Sequence, residues 1–145
     1  MQKKFKILFV CTHNACRSQM AEGWANHLGG TLVEAHSAGT VRCAAICAES
    51  VEVMMEAGVD ISKNKPKLVD EYDLNDFDLI VTVCDHANET CPNLPKGVKH
   101  IHQNFVDPGV ISKGAKDREE ILDYFRKSRD EIKEFIRKLL SNRNN

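Results

Sequence analysis

In CTHNACRS (11–18) a cysteine stands directly after an apolar run, and an arginine follows six places on, where a helix begins. Consecutive backbone N–H groups in such a loop, joined by the unpaired N–H groups of a helix start, form a concave nest for a tetrahedral oxyanion. The Arg17 guanidinium adds a planar fork that binds two oxygens at once. The same positive surroundings favour a thiolate at Cys11, which makes it a nucleophile. Ser18 can donate a hydrogen bond to that sulfur and ease its later departure. An inert thiol at a strand end fits the spacing as well, but the position between strand and helix favours the chemical reading.

Two more thiols and a carboxylate follow. Cys84 comes directly after FDLIVTV (77–83), and Cys91 lies seven residues later with Pro92 behind it. In a regular helix such a pair is about 10.5 Å apart along the axis, beyond the roughly 7 Å between Cα atoms that a disulfide tolerates. The two can join only if the segment unwinds. A redox switch fits this stretch, and so do two unrelated small residues. Asp107, in NFVDPG, reads either as a simple turn or, beside the other groups, as a general acid for a leaving oxygen. Pro108 biases its backbone toward extended geometry.

These groups need a scaffold that brings strand ends together. Phe5 to Val10 is a nearly continuous apolar run, as a strand buried on both faces requires. Met20, Ala21, Trp24 and Leu28 then share a helix face that stops at Gly29-Gly30. A second strand is predicted over 31–35. A second helix is predicted from Cys47, Val51, Met54 and Met55, ending at Gly58. Further strands fit 77–83 and VKHIH (98–102). The last thirty residues form one amphipathic helix with Ile121, Leu122, Phe125, Ile132, Phe135, Ile136, Leu139 and Leu140 in a stripe, and with Asp123–Lys127 and Glu134–Lys138 pairs outside. This alternation predicts a single α/β domain over 1–145: a four-stranded parallel open twisted sheet flanked by helices on both faces, with an anion-binding loop after the first strand. In such sheets ligands sit beyond the carboxyl ends of the strands.

The balance of 20 Lys+Arg against 21 Asp+Glu in 145 residues gives no single-sign field, so neither nucleic acid nor membrane is expected as a partner. MQKKFKILFVC is too short in its apolar part for a signal peptide or a membrane span, which predicts a cytoplasmic protein. Six cysteines in that compartment suit redox or metal chemistry better than a structural disulfide framework.

The loop C-x5-R-S between first strand and first helix resembles that of the low-molecular-weight tyrosine phosphatase fold. The longer series CTHNACRSQMAEGW (11–24), SAG (37–39), GVDIS (58–62), VTVCDHANETCP (81–92) and DP (107–108) resembles the thioredoxin-coupled arsenate reductases, over about residues 4 to 140. The resemblance implies arsenate as substrate, held by Thr12, His13, Asn14, Ala15, Cys16 and Arg17. It implies attack by Cys11 with Asp107 as acid, then a Cys11–Cys84 disulfide that releases arsenite, then a Cys84–Cys91 disulfide reduced by thioredoxin. No bound cofactor or metal is implied for the chemistry, and the chain is expected to be a monomer.

Several relatives bind potassium near the loop. Asn14, Glu22 and Ser37 match three of those ligands, but Lys67 stands where an aspartate ligates, so its ammonium is expected to replace the ion and steady Asn14. Cys47-Ala48 replaces a usual Asn-Pro, and Val106 replaces a frequent second aspartate. Cys16 reads as a buried small residue. Cys43 and Cys47 read as helix packing, and Trp24, Met54 and Met55 as core. Two other functions compete. A tyrosine phosphatase needs neither Cys84 nor Cys91 and commonly has a tyrosine where this chain has Gly109. A zinc-binding or redox-sensing module would use Cys84, Cys91, His100 and His102.

Overall fold

The computed structural model describes residues 3–85 and 94–142. Four parallel strands form one sheet in the order β2-β1-β3-β4: β1 (Phe5–Cys11), β2 (Val33–Gly39), β3 (Leu79–Thr82) and β4 (Lys99–His102). β1 pairs on both sides, Phe9 opposite Ser37 in β2 and Val81 in β3. Its interior residues Ile7, Leu8, Phe9 and Val10 are fully buried, which explains the unbroken apolar run.

The flanking helices are α1 (Arg17–Gly29), α2 (Ala48–Glu56), the short α3 (Pro108–Ile111) and α4 (Arg118–Asn142). α1 ends where Gly30 takes φ 56°, a conformation that suits glycine. Trp24 of α1 is buried, and its indole Nε1–H donates to the Arg129 carbonyl of α4 at 3.1 Å, while Lys133 lies over its ring. α4 buries Leu122, Phe125, Ile132 and Ile136, with Ile121, Phe135, Leu139 and Leu140 packed at the margin. No helix among the described residues is long and apolar enough to cross a membrane.

The sequence expectations need four corrections. β2 begins two residues later than predicted and runs on to Gly39. Its polar residues Glu34 and His36 are tolerated because β2 is an edge strand and they reach half-buried positions. α2 starts after Cys47, so Cys43 and Cys47 are loop and cap residues and do not pack on a helix face. Its buried residues are Ser50, Val53 and Met54, which leaves Met55 exposed; Leu28 is exposed as well. On α4 arginine takes the place expected of lysine: Asp123 pairs with Arg126 at 2.7 Å and Glu134 with Arg137, each at i,i+3. Arg126 also bridges to Glu56 of α2, and its fork explains the choice because it serves several carboxylates at once.

Candidate active site

β1 delivers Cys11 to the carboxyl edge of the sheet, and the loop from Thr12 to Cys16 wraps back to start α1 at Arg17. The loop can be this tight because β2 presents a glycine beneath it. A Cβ on Gly39 would stand 2.8 Å from the His13 carbonyl carbon and the Thr12 oxygen, closer than atoms pack. From the same strand end Thr40 and Val41 donate their N–H groups to the Thr12 carbonyl at 2.9 Å.

A chain of hydrogen bonds fixes the loop from within. Asn14 takes φ 55°, left-handed and tolerated by asparagine, and donates its backbone N–H to the Cys11 sulfur at 3.3 Å. Its Oδ1 accepts from Gln19 Nε2 at 3.0 Å and from the Lys67 N–H at 2.9 Å. Its Nδ2 must therefore face Ser18 Oγ, at 2.7 Å. With that donation accepted, the Ser18 hydroxyl is left to donate to Cys11 Sγ, 2.9 Å away. Asn14, Ser18 and Gln19 are fully buried, so the bonds among them and to Cys11 are shielded from water.

Arg17 ties the loop to the segment after β4. Its Nη1 donates to the Phe105 carbonyl at 3.0 Å and its Nη2 lies 3.5 Å from Asp107 Oδ2. The Arg17 Nε is buried and has no hydrogen-bond partner among the described residues, so it is the donor left over for an oxyanion. Asp107 caps α3, its Oδ1 accepting from the Gly109 N–H at 2.9 Å, with Pro108 at the first helical position. Its extended backbone, φ −72° and ψ 112°, agrees with the bias that Pro108 imposes.

Cys84 arrives from the end of β3, buried, with its sulfur 3.3 Å from Thr12 Oγ1. The structure therefore brings together Cys11, Thr12, Asn14, Arg17, Ser18, Cys84 and Asp107. Cys91 lies outside the described residues. His13 is exposed, and Ala15 and Cys16 are partly covered.

Two further cysteines, Cys16 and Cys47, are held as thiols. Burial pushes Cys16 far up. Cys47 is pushed up to about 11 by burial and by the Glu49 carboxylate that accepts its S–H at 2.9 Å. Among the described residues no group of side chains is arranged to hold a metal: His102 spends one ring nitrogen on Thr82 and the other on Asp85, and His100 meets Thr82. Burial and the neighbouring His102 pull His100 below its usual value.

The Lys67 expectation is corrected in its geometry. It is the Lys67 backbone N–H that holds Asn14, while its ammonium turns to the Lys65 carbonyl at 3.2 Å, an oxygen that Gln19 Nε2 also reaches. Glu22 accepts from Ser37 at 2.7 Å and from Asn64 at 3.0 Å. With each of these oxygens already met by a protein donor and an ammonium close by, the residues present do not fit an added potassium ion. The contributions of Gln19 and Asn64 were not foreseen from the sequence. The one available signal was Gln19, a polar residue on the helix face that carries Met20 and Trp24.

A curated arsenate reductase of Staphylococcus haemolyticus is 41% identical over 136 residues, covering 94% of this chain and 95% of that protein. Among solved structures, the thioredoxin-dependent arsenate reductase of Corynebacterium glutamicum matches with a TM-score of 0.73 at 26% identity, covering 97% of this chain and 62% of that one. The low molecular weight protein tyrosine phosphatase of T. tengcongensis matches with a TM-score of 0.77 at 29% identity, over 96% of this chain and 99% of that one. The family model for low molecular weight phosphotyrosine protein phosphatase matches residues 6–144. With the cysteine loop, the arginine and the Asp-Pro turn at one edge of a parallel sheet, the chain belongs to the low molecular weight phosphotyrosine protein phosphatase family.

Proposed function

We propose that this protein reduces arsenate to arsenite through a relay of thiols, with thioredoxin as external reductant. Arsenate enters the Cys11 loop, its oxygens facing the loop N–H groups and Arg17. Cys11 attacks arsenic, and Asp107 protonates the departing hydroxide. Cys84 then attacks the Cys11 sulfur. The electron pair of the sulfur–arsenic bond leaves with arsenic as arsenite, and a Cys11–Cys84 disulfide remains. Cys91 attacks Cys84, which frees Cys11, and thioredoxin reduces the Cys84–Cys91 disulfide with two electrons. Sulfur carries the redox chemistry without a bound cofactor, and the setting is the bacterial cytoplasm.

The observation that carries this reading is the Cys84 sulfur against Thr12 of the Cys11 loop, 3.3 Å from its hydroxyl. A hydrolase turns over its phosphocysteine with water and needs no second thiol there. The names of the relatives and a thioredoxin-dependent structural neighbour support the same reading. The Arg17–Asp107 pair equally suits phosphate-ester hydrolysis, so weak activity on a small aryl phosphate is expected beside the main reaction.

Arsenite production with a thioredoxin system tests the relay. Cys11→Ser should be dead, Cys84→Ser should release no arsenite, and Cys91→Ser should stop after about one turnover, since each serine removes one link of the exchange. Sustained turnover by Cys84→Ser overturns the reading.

A further inference from the structure

The Cys84 turn is held from the β4 side by residues that the chemistry above does not use. Main-chain pairing continues past the strand ends, with Gln103 N–H on the Thr82 carbonyl at 2.9 Å and Phe105 N–H on that of Val83 at 3.0 Å. Beyond Val83 side chains take over. Asn104 Oδ1 accepts the Asp85 N–H at 3.1 Å, and the His102 ring meets Asp85 Oδ1 through Nε2 at 2.8 Å. The other nitrogen of that ring, Nδ1, lies 2.8 Å from Thr82 Oγ1. One imidazole thus joins the residue two before Cys84 to the residue directly after it.

The direction of these bonds follows from the partners. A carboxylate only accepts, so Nε2 carries the proton toward Asp85. In the neutral ring Nδ1 then accepts from the Thr82 hydroxyl, whose oxygen accepts in turn from His100 Nε2, 3.1 Å away. The tautomer is fixed at both ends, and with it the ring plane.

We propose that His102 is a positioning residue for the thiol exchange: by tying Thr82 to Asp85 across the Cys84 peptide, it aims the Cys84 sulfur at Thr12 and the Cys11 loop. This rests on the relay reading. A sulfur attacking a sulfur needs near-linear approach at short range, so a turn held at both ends shortens the search for that geometry. The loop around Cys11 has its own buried braces and does not depend on His102.

The test separates those two regions in the full-length protein. In a Cys91→Ser background, the reduced protein is mixed with arsenate without reductant and quenched by alkylation, and the Cys11–Cys84 disulfide is followed by mass spectrometry. The rate of Cys11 alkylation by iodoacetamide without arsenate serves as the second readout. His102→Ala should slow disulfide formation about tenfold or more, as loss of near-attack alignment does, with Cys11 alkylation unchanged. His102→Gln keeps a donor for Asp85 and should recover most of the rate. Should His102→Ala not fold, Asp85→Ala, at a site whose side chain is 70% exposed, should show the same selective slowing. Disulfide formation at the parental rate in these variants, or equal slowing of Cys11 alkylation, overturns the proposal. Absence of the disulfide in the parent background marks a failure of the relay itself.

Discussion

The Cys11 loop and the Cys84 turn meet at one edge of the sheet, yet they are braced in opposite ways. Asn14, Ser18 and Gln19 hold the loop from inside, fully buried, in a chain whose every donor has an assigned acceptor. The Cys84 turn is held from outside, by Asn104 and by a His102–Asp85 pair open to water. A buried bond that breaks leaves an unpaired group behind, whereas an exposed one is replaced by water. The loop must therefore keep one shape through the reaction, while the turn can be held and released at small cost. That division suits a catalyst whose first step needs a rigid anion cradle and whose second needs a sulfur that travels.

Substitutions can break or sharpen the contrast. The largest effect on turnover should come from Gly39→Ala. The new methyl would press on the Thr12 and His13 backbone, destabilising the fold by about 1–3 kcal/mol and displacing the loop enough to cut arsenite turnover about 100-fold. Near-parental turnover would show that the loop is less rigid than its bonding implies. Next comes a matched pair of asparagines. Asn14→Ala strands the Lys67 N–H, takes the buried donor from Ser18 and leaves alanine at φ 55°, a loss of about 2–4 kcal/mol in urea unfolding. Asn104→Ala removes one exposed acceptor and should cost about 0.5 kcal/mol or less. Equal costs would erase the distinction between the two regions.

The smallest effect should appear on the α2–α4 face, which is also braced in water. The Arg126 guanidinium hydrogen-bonds Glu56 and holds its carboxyl below the usual value. A carboxyl depressed in the folded state adds stability above its unfolded value, and that contribution fades as pH falls through the folded one. Glu56→Gln should therefore cost about a few tenths of a kcal/mol at neutral pH, with the gap to the parent closing below about pH 4. A gap that widened in acid would contradict the sign.

Much of this arrangement is legible in the chain, for identifiable reasons. The β1–loop–α1 unit shows itself because an apolar run gives way at once to helical spacing, with the cysteine and arginine at the join. Asp107 and Cys84 are placed by the rule that parallel strands end at a common edge. What spacing could not supply is pairing across distance. Gln19 reaches Lys65, Asn64 reaches Glu22, and His102 reaches Asp85, each over many residues and each decided by the packing of separate elements. Edge position hid the length of β2, because an edge strand need not be apolar. Met55 misled for a related reason: it adjoins a buried methionine but turns away from the core.

Cys16 sits within the anion loop itself, five residues from Cys11, and burial keeps it protonated. A sulfur that keeps its hydrogen neither captures an oxyanion nor joins an exchange. The loop thus contains two sulfurs but offers a guest only one, which in the proposed relay directs the oxidation toward Cys84.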